Sequence, residues 1–178
     1  MTASKDKYKE IILTEEVAKK TINAFRSLKR HRANLETKQE KYKKKASIPI
    51  EDRIPYRSSS YIENDVRITG GSKISMTERA TIELKAEEEE LLKYSLFVAK
   101  LEEILSTAIT KAVMFSKNSA YRIKLRSMLE LNLIDGVSRK DLNIGSGAFS
   151  TYRRIAVIEA AIALGYLDIE DAPEGEEK

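Results

Sequence analysis

VSRKDLNIGSGAFSTYRRIAVIEAAIALG, residues 137–165, is the stretch on which the reading of the whole chain turns. Ser138 is a good N-cap for a short helical segment at residues 139–142, which Asn143 and Gly145 bring to an end. Ser146 then caps a second helix, in which Phe149, Tyr152 and Ala156 recur at helical spacing while Ser150, Thr151, Arg153 and Arg154 fall largely between them. The polar residues therefore gather near the helix start. Beyond Tyr152 the pattern is apolar nearly all round, residues 155–164 carrying only Glu159 as a charge, so this half is expected to be buried between other helices. Gly165 closes it.

A short helix, a glycine-containing turn and a second helix with a polar opening predict a helix-turn-helix. In such a unit the first helix crosses the DNA backbone and the start of the second enters the major groove. Arginine can bridge the O6 and N7 of guanine, hydroxyl side chains can bond phosphates or base edges, and a helix N-terminus attracts phosphate. On this reading Ser146, Ser150, Thr151, Arg153 and Arg154 contact DNA, and Arg139 and Lys140 lie on phosphates. A plainer reading of the same pattern leaves Arg153 and Arg154 as a solvated face and residues 145–147 as a loop between packed helices.

Residues 145–165, GSGAFSTYRRIAVIEAAIALG, resemble the C-terminal motif of phage late-gene transcription regulators of the ArpU and RinA type. A serine-rich turn, an aromatic residue, a Tyr-Arg pair and a closing Ala-Leu-Gly recur there. The layout is similar too, with an N-terminal region, a polar middle, a long helix and a terminal motif like sigma region 4. Here the helix before the turn is shorter than usual, and Arg139-Lys140-Asp141-Leu142 replaces an Ile-Ala pair. The resemblance implies double-stranded DNA as a partner, RNA polymerase as a second one, and the cytoplasm of a bacterial host as the setting.

Composition sets outer limits. Of 178 residues 42% are hydrophobic and 34% charged, enough for a modest core under a large wet surface. With no cysteine, neither a disulfide framework nor a thiolate metal site can form. No apolar run approaches the length of a membrane span, and the charged N-terminus is unlike a signal peptide. Net charge is only +4, but it is unevenly spread: residues 1–46 carry +8, residues 117–154 carry +5, and residues 168–178 carry −5. Basic segments of this kind favour a polyanion.

Five segments follow along the chain. Residues 1–46 read as a basic helix entered through Thr14, with Val17, Thr21, Ala24, Leu28, His31, Leu35, Lys38 and Tyr42 on one seam. The seam predicts packing as far as Leu35 and fraying into the lysine run 41–45. His31, the only histidine, has no second ligand at metal spacing. Residues 47–75 read as a linker, with Pro49, Pro55, three serines at 58–60 and Gly70-Gly71. The fragment 62–68 alternates as a short strand would, and residues 69–73 lack the spacing of a phosphate loop.

Residues 76–115 carry the longest periodic pattern, opened by a Ser75 and Glu78 capping box. Leu84, Leu91, Val98, Leu105 and Ala112 recur every seven residues, with Tyr94, Leu101, Ala108 and Phe115 between them. A sustained heptad suits self-association or antiparallel packing with another long helix, and the expected homo-oligomer uses residues 84–115. Phe97, Ile104 and Ile109 add a second stripe. Glu87 to Glu90 point around a helix and read as a solvated acidic turn. Residues 116–167 form the helix-turn-helix domain, its first helix capped by Ser119 and carrying Ile123, Leu125, Met128, Leu129 and Leu131. Residues 168–178 are an acidic tail.

The chain is thus expected to be all-α and to act as a sequence-specific DNA-binding regulator, without a cofactor or metal. No triad, carboxylate pair or metal constellation points to an enzyme. The rival class is a helical assembly or adaptor protein, such as a phage structural or packaging component, in which the heptad segment is the function.

Overall fold

The structure, a computed structural model, describes residues 7–49, 76–144 and 146–168, with the side chains of Met76 and Ser146 left aside. Of the described residues 80% are helical and none lies in a strand. The helices are α1 (Lys7–Glu10), α2 (Glu15–Ser47), α3 (Met76–Met114), α4 (Ser119–Leu133) and α5 (Ser146–Ala163). The Ser75 cap, the strand at 62–68, most of the linker and nearly all of the acidic tail lie outside the described residues.

Local chemistry sets most of the helix ends. The Thr14 hydroxyl accepts the Val17 N–H at 3.3 Å and its carbonyl accepts that of Ala18 at 3.0 Å, while Glu15 and Glu16 occupy the first turn of α2. A hydroxyl cap and acidic residues both answer the unpaired N–H groups there. At α4 the cap is Asn118 rather than Ser119: its side-chain oxygen accepts the Tyr121 N–H at 3.1 Å from an extended backbone. Ser119 sits one position inside the helix, where the backbone is already helical and no longer has the extended form of a cap. Arg122 closes the preceding turn by donating to the Ser116 carbonyl at 2.6 Å. Sequence gave that arginine no such role.

The chain forms two compact units, Met1–Arg32 with Val98–Lys178, and Ala33–Phe97. Neither coincides with one of the five sequence segments. In the first, Thr21, Phe25 and Leu28 of α2 are buried together with Val98, Leu101, Leu105, Ala108, Ile109, Ala112 and Val113 of α3. Leu125, Leu129 and Leu133 of α4, and much of α5, complete this core. The two long helices run antiparallel there, Arg32 pairing with Glu102 while Leu28 and Ile109 line a common pocket. Thr21 enters the core because its hydroxyl donates to the Val17 carbonyl at 2.7 Å, leaving no unsatisfied donor. Phe25, fully buried, lies outside the seam read from sequence.

In the second unit the two helices are again antiparallel. The Lys38 ammonium lies 4.8 Å from the Tyr94 ring centroid, and Lys45 pairs with Glu87. The expected fraying at residues 41–45 is therefore not found. Tyr42 is half-buried and lines a groove with Leu91, so the lysine run is carried by a helix that has a partner.

The heptad seam is used within the chain. Val98, Leu101, Leu105, Ala108 and Ala112 are buried by the chain's own residues, which leaves none of these five for the expected homo-oligomer. The second stripe divides: Ile109 is buried, Ile104 half-buried and Phe97 half-exposed.

Phe25→Ala is expected to lower stability by about 3–5 kcal/mol, the range for emptying a buried aromatic site. Leu96→Ala, at an exposed position, should change it by less than about 0.5 kcal/mol. Urea denaturation followed by circular dichroism measures both.

Candidate nucleic-acid interface

Residues 138–144 make a single helical turn before α5. Ser138 caps it, its hydroxyl accepting the Asp141 N–H at 3.3 Å and donating to the Asp141 carboxylate at 2.7 Å. The Leu142 N–H reaches the Ser138 carbonyl at 3.1 Å, and Asn143 ends the turn with φ 51°. The bonds from Asn143 to Lys140 and from Ile144 to Arg139 are those of a helix closed by a left-handed residue, a conformation asparagine tolerates better than most. Leu142 and Ile144 are half-buried, so the shortened helix still packs. Gly145 and the Ser146 side chain, and with them the Ser146 cap, lie outside the described residues.

The two arginines at the start of α5 go to different places. Arg153 is half-buried, its Nε donating to the Asn132 Oδ1 of α4 at 2.8 Å, while the Asn132 amide donates to the Val137 carbonyl at 2.8 Å. Burial first, and then the charges of Arg139 and Arg26, pull the Arg153 guanidinium below its usual range. Arg154 is exposed but not idle: its Nη2 donates to the Ile11 carbonyl at 2.9 Å. Arg139 donates to the Ser150 hydroxyl at 2.8 Å, and Thr151 and Lys140 are exposed. Of the seven candidate contacts, Arg139, Ser150, Arg153 and Arg154 thus come together around one groove. Ser150 and Arg153 are turned partly inward, and Thr151, Lys140 and Arg154 face out.

Residues that no local pattern joins to this site complete it. Asn132 holds Arg153, while Leu13, Ala18, Ile22 and Val157 form the apolar wall of the groove. Ile11 and Leu13 arrive from the far end of the chain. They are held there by Tyr8, whose hydroxyl donates to Glu159 and whose ring meets Phe115 edge-on at 5.4 Å between centroids. Lys111 pairs with the other Glu159 oxygen at 2.6 Å, so the one charge in the apolar half of α5 has two partners. Among the described residues no group of three or more His, Cys, Asp or Glu could hold a metal, and no helix is long and apolar enough to cross a membrane.

No known protein family, no curated protein and no solved structure matches this chain.

Burial, then the hydrogen bond and the charge of Glu159, raise the Tyr8 phenol above its ordinary range. The folded chain keeps a proton that the unfolded chain releases near pH 10. The resulting stabilisation is present below about pH 10 and lost as pH rises above it. Tyr8→Phe should cost about 1 kcal/mol at neutral pH, and the gap between wild type and variant should narrow in urea melts above about pH 10.

Proposed function

We propose that this chain is a sequence-specific DNA-binding transcription regulator of the phage late-gene type, and that residues 137–165 act as its helix-turn-helix. The observation that carries this reading is a basic face without acid. Arg139, Arg153 and Arg154 line one groove at the start of α5, with no Asp or Glu among the described residues of its lining. A structural cluster of like charges would ordinarily be offset by carboxylates, and here the described arginines of the groove reach neutral acceptors. A polyanion supplies the missing charge.

The roles differ from a simple reading of the motif. Thr151 serves best as a base-edge contact, because it faces outward within the first two turns of α5. Lys140, Arg139 and Arg154 lie on phosphates, and Ser146 and Ser150 belong to the helix start that approaches the backbone. Arg153 acts from behind by holding α5 on α4 through Asn132. The proposed setting is the cytoplasm of a bacterial host, with RNA polymerase as the further partner that the sigma-like resemblance implies.

A second reading is favoured by one observation. Ile82, Leu92 and Leu96 are each more than half exposed on α3, an apolar stripe of the kind expected in an assembly or adaptor protein.

Selection of bound fragments from a random duplex library at two salt concentrations tests the main reading. Enrichment of one motif supports it, and salt-sensitive binding without enrichment removes sequence specificity. Thr151→Ala should weaken binding by about 1 kcal/mol and relax the preference at one base. Lys140→Ala should weaken binding to all sequences and reduce the salt slope by about one.

A further inference from the structure

The groove beside α5 has a volume of about 470 Å³. Its apolar lining is Leu13, Ala18, Ile22 and Val157, and its polar lining is Arg139, Arg153, Arg154, Ser150 and Asn132. Arg153 is fixed on Asn132. The other two arginines are less strongly engaged: Arg139 donates to a serine hydroxyl and Arg154 to a backbone carbonyl. Both acceptors are neutral, and a guanidinium has five donors in a fork that matches a tetrahedral oxyanion. Hydrogen bonds from a cation to an oxyanion are roughly twice as strong as those between neutral groups. Three cations around one groove, with no acid among the described residues of its lining, repel one another until an anion joins them.

We propose that this groove is a phosphate seat. One phosphate group enters between Arg139 and Arg154 and replaces the Ser150 hydroxyl and the Ile11 carbonyl as their acceptor. Arg153 is a positioning residue, which holds α5 against Asn132 and adds to the field without touching the anion. Ile11 belongs to the N-terminal segment that crosses the rim of the groove, so filling the seat releases that segment at Ile11. Tyr8 remains on Glu159 and retains it at its other end. A phosphate of a duplex backbone and a free phosphate share the chemistry this seat reads. Assigning the seat to a duplex rests on the DNA-binding reading above, whereas the seat itself does not.

Titration of the full chain with inorganic phosphate, followed by the arginine Nε–Hε resonances at constant ionic strength, tests the seat directly. A mixed-sequence duplex, titrated into wild type and Arg139→Gln/Arg154→Gln, tests its use on DNA. Saturating shifts of the Arg139 and Arg154 resonances, together with trypsin cleavage after Lys9 that quickens on adding phosphate, are the expected results. The double variant should then bind duplex on the order of tenfold or more weakly. Arg139→Lys/Arg154→Lys, which keeps the charge but loses the fork, should recover only part of that loss. If phosphate moves neither resonance, the seat is overturned even where the duplex still binds, and the DNA reading stands without it. If phosphate fills the seat and no duplex binds, the seat holds with free phosphate as its source and the DNA reading fails. Should the glutamine variant not fold, the wild-type resonance titration decides alone.

Discussion

A helix that is apolar on nearly every side has to be surrounded, and the second half of α5 is such a helix. Ile155, Ala156, Val157, Ile158, Ala160 and Ala161 are all buried. Side chains that point to every side over about two helical turns cannot be covered by one neighbour, and α2, α3 and α4 each contribute buried residues to the same unit. Leaving one such aliphatic side chain in water instead would cost about 1.5–3 kcal/mol. Glu159 is the exception within the stretch. Its side chain is only 12% exposed, and the pairing with Lys111 and Tyr8 is what makes a carboxylate tolerable there.

That constraint also shapes the candidate interface. With most of its later turns enclosed, α5 is open nearer its start, where Thr151 and Arg154 are exposed. Enclosure brings the N-terminal segment onto the same helix, since Tyr8 is the hydroxyl that Glu159 uses. The groove with its three arginines lies where this segment, α2 and α5 meet. Its charge is thus a consequence of packing as much as of composition, because Arg139 stands 14 residues before Arg153 in the chain and only the fold brings the two to one groove.

Much of this was legible in the chain. The hydroxyl of Thr14 at a helix start, the heptad from Val98 to Ala112, the all-round apolar run after Tyr152 and the Ser138 cap are short-range patterns, and each has a local physical cause. Other features were not. Asn118 and Ser119 are both able to cap, and only the path of the backbone chooses between them. The lysine run 41–45 looks solvated in isolation, and stays helical where Lys45 meets Glu87. Phe25 has no heptad to announce it.

By itself the sequence determined the longer helices, the enclosure of the second half of α5, and the presence of an arginine-bearing helix start near residue 146. It did so because caps and 3.6-residue periodicity act within a few residues of each other along the chain. Only the tertiary structure decided where the guanidinium groups go. Arg153 on Asn132 and Arg154 on Ile11 join residues 21 and 143 positions apart, and no local pattern encodes a hydrogen bond whose partner is placed by the packing of other helices.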